Sequence, residues 1–146
     1  MDTIVKTHVG AYGVIIKDNK IILVKKARGG YKGKLDLPGG GMEHTELPEE
    51  ALKREIMEEA GINIANYKLL DVVATNIKWE MEPNLWEDLH HIGILYTVDT
   101  NEYLLKNEAD GLDSNGANWY NIAELNKKEL SPFTILALEK LGYNIM

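Results

Sequence analysis

The 146-residue chain contains no cysteine and no long apolar run, and it has fewer basic than acidic residues. The lack of cysteine excludes disulfides and thiol catalysis, and it fits a reducing compartment, so we expect a cytoplasmic location. No stretch approaches the roughly 20 apolar residues of a membrane span, and the first residues lack the apolar core of a signal peptide. The sequence therefore predicts a protein that does not associate with membranes.

Acidic residues outnumber basic ones, with 23 Asp and Glu against 16 Lys and Arg, which gives a net charge of −7. This balance argues against a general affinity for nucleic-acid backbones. It also repels a free nucleotide, so a site for polyphosphate would need the local charge of a metal ion. Any phosphate chemistry in this chain is therefore expected at one confined site.

Apolar residues follow a pattern of strands and two helices, without internal repeats, low-complexity tracts or a linker. With 45% hydrophobic residues, a chain of this length can bury one core, so we predict a single domain over residues 1–146. Strands are predicted at 9–17, 20–26, 35–38, 67–79, 91–99 and 118–122, and Asp18-Asn19 is predicted to form a hairpin turn. The pattern predicts an α/β fold in which a mixed sheet lies between helices.

A helix is predicted between Pro48 and Gly61, directly after a glycine-rich loop. Proline suits the first helical turn, and glycine suits the position just past the helix end. Leu47 cannot cap the helix with its side chain, so Thr45 is expected to cap it and start it slightly earlier. A second helix is predicted from Ser131 to Leu141.

The first helix has one apolar and one acidic side. The buried stripe is predicted at every fourth residue, with Leu52, Ile56 and Ala60. At about 100° per residue, the carboxylates fall within roughly a 100° arc on the adjacent side. These carboxylates belong to Glu55, Glu58 and Glu59.

Like charges three and four residues apart repel, so the acidic side requires compensation. Arg54 neutralises part of it, and Mg²⁺ or Mn²⁺ would neutralise the rest, since hard cations prefer carboxylate oxygen. The preceding glycines let the backbone approach a metal or phosphate closely. The alternative is an ordinary solvated helix face, the usual meaning of a glutamate-rich stretch.

The run from Gly40 to Ile62 resembles the signature of the Nudix hydrolase family, Gly-x5-Glu-x7-Arg-Glu-U-x-Glu-Glu-x-Gly-U, in which U is aliphatic. Every fixed position is filled, by Gly40, Glu46, Arg54, Glu55, Ile56, Glu58, Glu59, Gly61 and Ile62. The resemblance implies the Nudix α/β/α sandwich. It also implies a Mg²⁺-dependent enzyme that hydrolyses a nucleoside diphosphate linked to another group, by water attack on phosphorus.

The resemblance also implies residue roles. The implied metal ligands are the carboxylates of Glu55, Glu58 and Glu59 and the carbonyl of Gly39. Glu55 would also be a candidate base, and Glu46 and Arg54 would orient the carboxylates. These three residues, with Glu58, form the expected catalytic set.

Many relatives supply a further acidic group from a downstream segment. In this chain that role would pass to Glu108, Asp110 or Asp113, or it would be absent. The identity of the general base therefore stays open.

Two candidates for substrate binding lie near the signature. Gly40 belongs to the loop that phosphate can approach closely. Arg28 is close in sequence to that loop and could hold a phosphate as a forked donor, although a solvated hairpin end is an equal alternative.

Two further candidates lie downstream. Trp79 begins a polar stretch, 80–85, that is expected to form a mobile lid with an aromatic for stacking on a base, although core packing or a dimer contact is common for tryptophan. His90 and His91 face opposite ways on a strand, so at most one reaches the site, and His90 is the candidate.

Nucleoside triphosphates, including oxidised ones, are favoured as substrates over nucleotide sugars and dinucleoside polyphosphates. One alternative is a catalytically silent Nudix-fold module that binds nucleotide or a partner, but such a module has no need to retain repelling carboxylates. Another is isomerase chemistry on prenyl diphosphates, whose thiol-using form is disfavoured by the lack of cysteine. A homodimer also stays open.

Overall fold

The structure, a computed structural model, describes residues 2–107 and 114–146. The strands of these two ranges are β1 (Asp2–Val14), β2 (Ile16–Lys17), β3 (Lys20–Lys26), β4 (Leu35–Asp36), β5 (Gly39–Gly41), β6 (Asn66–Glu82), β7 (Leu85–Asp99) and β8 (Ser114–Asn121). The helices are α1 (Pro48–Ala60) and α2 (Pro132–Lys140), and two short 3₁₀ turns lie between β8 and α2.

The strands form two sheets. The first has the order β5-β1-β7-β6, in which β1 and β7 run parallel and the other neighbours run antiparallel. In the second sheet β3 pairs antiparallel with β2, β4 and β8. The predicted mixed sheet is thus confirmed in the first of the two sheets.

Successive residues of β3 face opposite helices, because side chains alternate across a strand. Ile21 and Leu23 are buried in the cluster that contains Phe133 of α2. Ile22 and Val24 are buried in the cluster that contains the apolar stripe of α1. The helices therefore cover two different faces of the strands, which confirms the expected α/β fold with helices on both sides.

The hairpin between β2 and β3 has the predicted turn. Asp18 and Asn19 have φ angles of 51° and 61°, the left-handed conformation that suits a two-residue hairpin turn. The strand predicted at 9–17 is instead divided at Ile15 between two sheets, and it begins at Asp2. Its first residues gain their partners from β7, which is remote in sequence, so the local pattern does not reveal them.

Helix α1 begins at Pro48 and ends at Ala60, followed by Gly61 with a φ of 71°. The predicted cap at Thr45 is wrong: Leu47 precedes the helix, and its backbone N–H donates to Oε1 of Glu50 at 2.9 Å. A side chain of the first turn thus binds the N–H of the residue before the helix, while Leu47 itself offers no side-chain cap. The predicted apolar stripe of the helix is fully buried.

Helix α2 begins as predicted after Ser131, whose hydroxyl accepts the Thr134 N–H at 3.3 Å. Leu141, predicted as the last residue of α2, is the residue that follows this helix.

In the described ranges, no helix combines the length and the apolarity that crossing a membrane requires.

Replacing Ile56 with alanine should lower the free energy of unfolding by about 2–5 kcal/mol, because a fully buried side chain leaves a cavity. Met57 is the matched control, since it lies next along the helix and is 41% exposed. Met57→Ala should change stability by about 0.5 kcal/mol or less. Urea unfolding measures both values, and equal losses would contradict the orientation of α1.

Candidate functional site

A cavity of about 930 Å³ is lined by residues of both sheets and of α1. Glu55 and Glu58 form its acidic wall. Four cationic side chains also line it: Lys6, Lys26, Arg28 and Lys32. The cavity thus combines carboxylates with local positive charge, although the chain as a whole is acidic.

The strands of the first sheet supply side chains to this cavity at every second position. On β7 these are Glu87, Leu89 and His91, which share one face of the strand. On β1, Lys6 and His8 lie beside Leu89 and His91 in the parallel register. One face of the sheet therefore forms a wall of the cavity.

Strand β5, which consists of Gly39, Gly40 and Gly41, brings bare backbone to the acidic wall. A Cβ on Gly39 would lie 2.2 Å from the carbonyl oxygen of Ala11, and its φ of 149° is one that residues with side chains rarely adopt. A Cβ on Gly40 would lie 2.7 Å from the carboxyl carbon of Glu55. Glycine is therefore required for the contact between this strand and the carboxylate.

Arg54 ties the acidic residues together. Its Nε and Nη2 donate to the two oxygens of Glu46 at 2.8 and 2.9 Å, and Nη2 also donates to the carbonyl of Gly41 at 3.0 Å. Its Nη1 donates to Oε1 of Glu55 at 2.9 Å and lies 3.4 Å from Oε1 of Glu58. The hydrogen bonds from Arg54, aided by the Glu43 N–H, lower the pKa of Glu46 to about 2.

Glu59 has a different environment from its two neighbours. It is buried, and its Oε1 accepts the backbone N–H of Gly39 at 2.7 Å. The helix pattern predicts that all three carboxylates lie on the side that points away from the core, and this is wrong for Glu59, which links α1 to the glycine strand.

The carboxylates do not converge on one point. Across 2–107 and 114–146, no three His, Asp or Glu side chains stand close enough together to hold a metal ion. Each carboxylate instead faces a hydrogen-bond donor, since Glu55 and Glu58 face Arg54 while Glu59 faces the Gly39 N–H. The donor set itself suits a hard cation, because it offers carboxylate and carbonyl oxygens beside bare backbone.

His91 lies between two tyrosine hydroxyls in the cavity wall. Tyr12 Oη is 2.6 Å from Nε2, and Tyr31 Oη is 3.1 Å from Nδ1. Burial, with the nearby charges of His8 and Lys26, lowers the pKa of His91 to about 4. A neutral imidazole offers one donor and one acceptor, so one hydroxyl donates to His91 and the other accepts from it.

The structure brings three of the four predicted substrate residues, Arg28, Gly40 and Trp79, to the cavity. It does not bring His90 there: this side chain is exposed and lies on the opposite face of β7 from His91, which lines the cavity instead. The alternation of side chains along the strand decides between the two.

The lid expected at 80–85 is an ordered hairpin. Strand β6 continues to Glu82, and β7 begins at Leu85. Asn84 between them has a φ of 66°, which suits a tight turn. The downstream acidic candidates, Glu108, Asp110 and Asp113, lie outside the described residues.

Sequence reasoning missed several side chains of the cavity, above all Tyr12, Tyr31, Asp36 and Glu87. For Glu87 the signal was present, because it is two strand repeats from His91 and therefore on the same face. For the tyrosines there was no local signal, since β1 and the segment after β3 meet at His91 only through tertiary packing.

Comparisons with known proteins agree with this geometry. A family model described as NUDIX domain matches residues 6–141. An ADP-ribose pyrophosphatase of Methanocaldococcus jannaschii is 36% identical over 115 residues, which are 79% of this chain and 62% of that protein. An 8-oxo-dGTP diphosphatase of Escherichia coli is 29% identical over 133 residues, which are 90% of this chain and 93% of that protein.

The fold also matches solved structures. A MutT NUDIX hydrolase from Burkholderia pseudomallei superposes with a TM-score of 0.75 at 28% identity, over 93% of this chain and 98% of that one. The chain spans 62% of the length of the Methanocaldococcus protein and of an 8-oxo-dGTP diphosphatase from Proteus vulgaris. Some relatives therefore extend well beyond the region that they share with this chain.

The depressed pKa of His91 should make stability depend on pH. The unfolded chain binds a proton at this residue below about pH 6.5, but the folded protein does so only near pH 4. The free energy of unfolding should therefore fall as the pH drops from 6.5 to 4, by at most about 1.4 kcal/mol per pH unit from this group. Urea unfolding at several pH values measures this slope.

His91→Gln is the matched variant, because glutamine offers a donor and an acceptor but does not titrate. The other histidines are common to both proteins, so the difference between the two pH profiles isolates His91. Parallel profiles would show that His91 is not held neutral by the fold.

Proposed function

The chain belongs to the Nudix family, and we propose that it hydrolyses a diphosphate bond in a nucleoside diphosphate linked to another group. The observation that carries the proposal is the contact of Glu55 with both Gly40 and Arg54 at the acidic wall of a cavity with cationic side chains. Carboxylates beside bare backbone suit a metal, and the lysines and arginine suit phosphate.

We propose that Mg²⁺, or Mn²⁺ in its place, is the cofactor. Glu55, Glu58 and Glu59, with the carbonyl of Gly39, would hold it, since all are oxygen ligands of the kind that these cations prefer. The three carboxylates face Arg54 and the Gly39 N–H in the structure, so they would have to turn towards a common point to do so. Bound there, the ion supplies charge that activates water and offsets the charge of the phosphoryl oxygens.

The chain's own residues divide the remaining work. Arg54 holds Glu46 and Glu55 in place through hydrogen bonds to both carboxylates. Glu55 is the first candidate to take the proton of the attacking water. Glu58 is the second, because it is 48% exposed and lies farther from Arg54, at 3.4 Å.

Nucleoside triphosphates, including oxidised ones, are the favoured substrates. The Escherichia coli relative, which this chain matches over 93% of its length, is named for 8-oxo-dGTP, while the Methanocaldococcus relative is named for ADP-ribose. Both names describe a nucleoside diphosphate with a further group attached.

Replacing Glu55 or Glu58 with glutamine should lower the rate of phosphate release from nucleoside triphosphates about 100-fold or more, because each change removes a charged group that holds the metal or the proton. Glu49→Gln on the same helix is the matched control and should retain activity. The assay is a nucleotide panel with product identification by mass. Activity in neither wild type nor variants would favour the silent binding module.

Removal of divalent cations should abolish the activity, and Mg²⁺ should restore it. Arg54 supplies one positive charge to Glu55 and Glu58, and a divalent cation would offset the rest of their negative charge and that of the phosphates. Dialysis against a chelator followed by Mg²⁺ titration measures this dependence. Full activity after chelation would contradict the assigned role of the carboxylates.

A further inference from the structure

A buried carboxylate lies far from the signature residues but in the same cavity. Glu87 on β7 is 8% exposed, and its Oε1 accepts the indole N–H of Trp79 at 2.9 Å. The two residues lie directly opposite each other on the antiparallel strands β7 and β6. Both line the cavity, so together they form a polar corner within it.

This corner is held in place from two sides. Trp79 lies against the backbone of Gly30, where an added Cβ would be 3.1 Å from Cδ1 of the indole ring. The indole N–H in turn fixes one oxygen of Glu87. A carboxylate offers about four acceptor positions and no donor, so it still presents acceptors once Trp79 has taken one.

The corner lies about the length of a nucleotide from the glycine strand, where the metal and the phosphates are proposed to bind. His91, whose ring meets Tyr12, marks the end of the cavity near the glycine strand, because Tyr12 pairs with Gly39. Glu87 lies four residues from His91 along β7, which is about 13 Å at 3.3 Å per residue. An extended nucleotide fits such a span, with its phosphates at one end and its base at the other.

We propose that Glu87, positioned by Trp79, selects a guanine-type base in the substrate. This assignment rests on the proposed function, since it takes the base to be that of the hydrolysed nucleotide. Guanine carries two adjacent donors, N1–H and the 2-amino group, which pair with an acceptor-only carboxylate. Adenine presents the lone pair of N1 at the same edge, and this lone pair repels a carboxylate.

The other bases fit less well for the same reason. Cytosine places an acceptor beside its amino group, and uracil places its single N–H between two carbonyl oxygens. A site built around a buried hydrogen-bonding group rejects ligands that leave this group unpaired. Glu87 would thus discriminate through the mismatches that it creates as well as through the pair that it forms.

The test measures binding of GMP, IMP and AMP by calorimetry, together with kcat/KM for GTP, ITP and ATP in Mg²⁺. Wild type should prefer guanine to adenine about 10-fold to 100-fold, as expected for bonds to a charged acceptor. Hypoxanthine has N1–H but lacks the 2-amino group, so IMP and ITP should fall between the two.

Glu87→Gln is the informative variant. The glutamine oxygen can still accept the Trp79 N–H, but its amide then presents donors to the donors of guanine. The preference for guanine should shrink to within about threefold. Glu82→Gln, an exposed carboxylate on the same hairpin, is the control and should keep the preference of the wild type.

Two results would overturn the assignment: equal affinity of wild type for GMP and AMP, or an unchanged preference in folded Glu87→Gln. If that variant does not fold, a wild type that fails to bind GMP more tightly than IMP, and IMP more tightly than AMP, still overturns the assignment. Hydrolysis of triphosphates without a base preference would reject this assignment and keep the proposed function. Selective GMP binding without hydrolysis of any nucleotide would keep this assignment and reject the proposed function.

Discussion

The cavity depends on one guanidinium group. Arg54 contacts the loop before α1 through Glu46, the glycine strand through the carbonyl of Gly41, and its own helix through Glu55. Three pieces of backbone are thus fixed relative to each other by one planar, always charged group, which lysine could not replace with the same geometry. Without it, the carboxylates of α1 would repel one another, and the loop would lose its tie to the helix.

The same region shows why side-chain size matters as much as charge. Strand β5 has no side chains, so β1 can pair with it on one side while Glu55 and Glu59 reach it on another. Glu59 is bound through the Gly39 N–H, whereas Glu55 is in van der Waals contact with Gly40. The acidic helix and the glycine strand therefore form one unit, and the cationic side chains enter from more distant segments.

Much of this unit is local in sequence and could be predicted from it. The four-residue repeat of α1, its proline start and glycine end, and the Asp18-Asn19 turn depend on interactions within a few residues, and the structure has them all. The capping at the start of α1 was not predictable in this way. Leu47 has no side-chain acceptor, and its own N–H is bound by the side chain of Glu50. Nor was the inward turn of Glu59 predictable, because periodicity places a side chain on a helix face without saying what covers that face.

The cavity wall formed by β6 and β7 could not be predicted from the sequence, for a different reason. His91 rather than His90 faces inward because Tyr31 and Phe133 pack on that face of β7. The sequence of β7 alone does not tell which of its faces is covered. The stretch at 80–85 is too polar to suggest a strand, yet it contains the end of β6, the turn at Asn84 and the start of β7. The pairing of Glu87 with Trp79 depends on that hairpin, so this contact is seen only in the tertiary structure.

The parallel pairing of β1 with β7 also governs when the cavity can exist. The two strands are adjacent in the sheet but some eighty positions apart along the chain, as the pairing of His8 with His91 shows. Closing so long a loop is entropically costly and slow, and such contacts form late. During synthesis, a nascent chain that has released the whole glutamate-rich helix still lacks the cavity side chains of β6 and β7. The glycine strand and the acidic helix are thus synthesised before β7, the strand that completes this wall of the cavity.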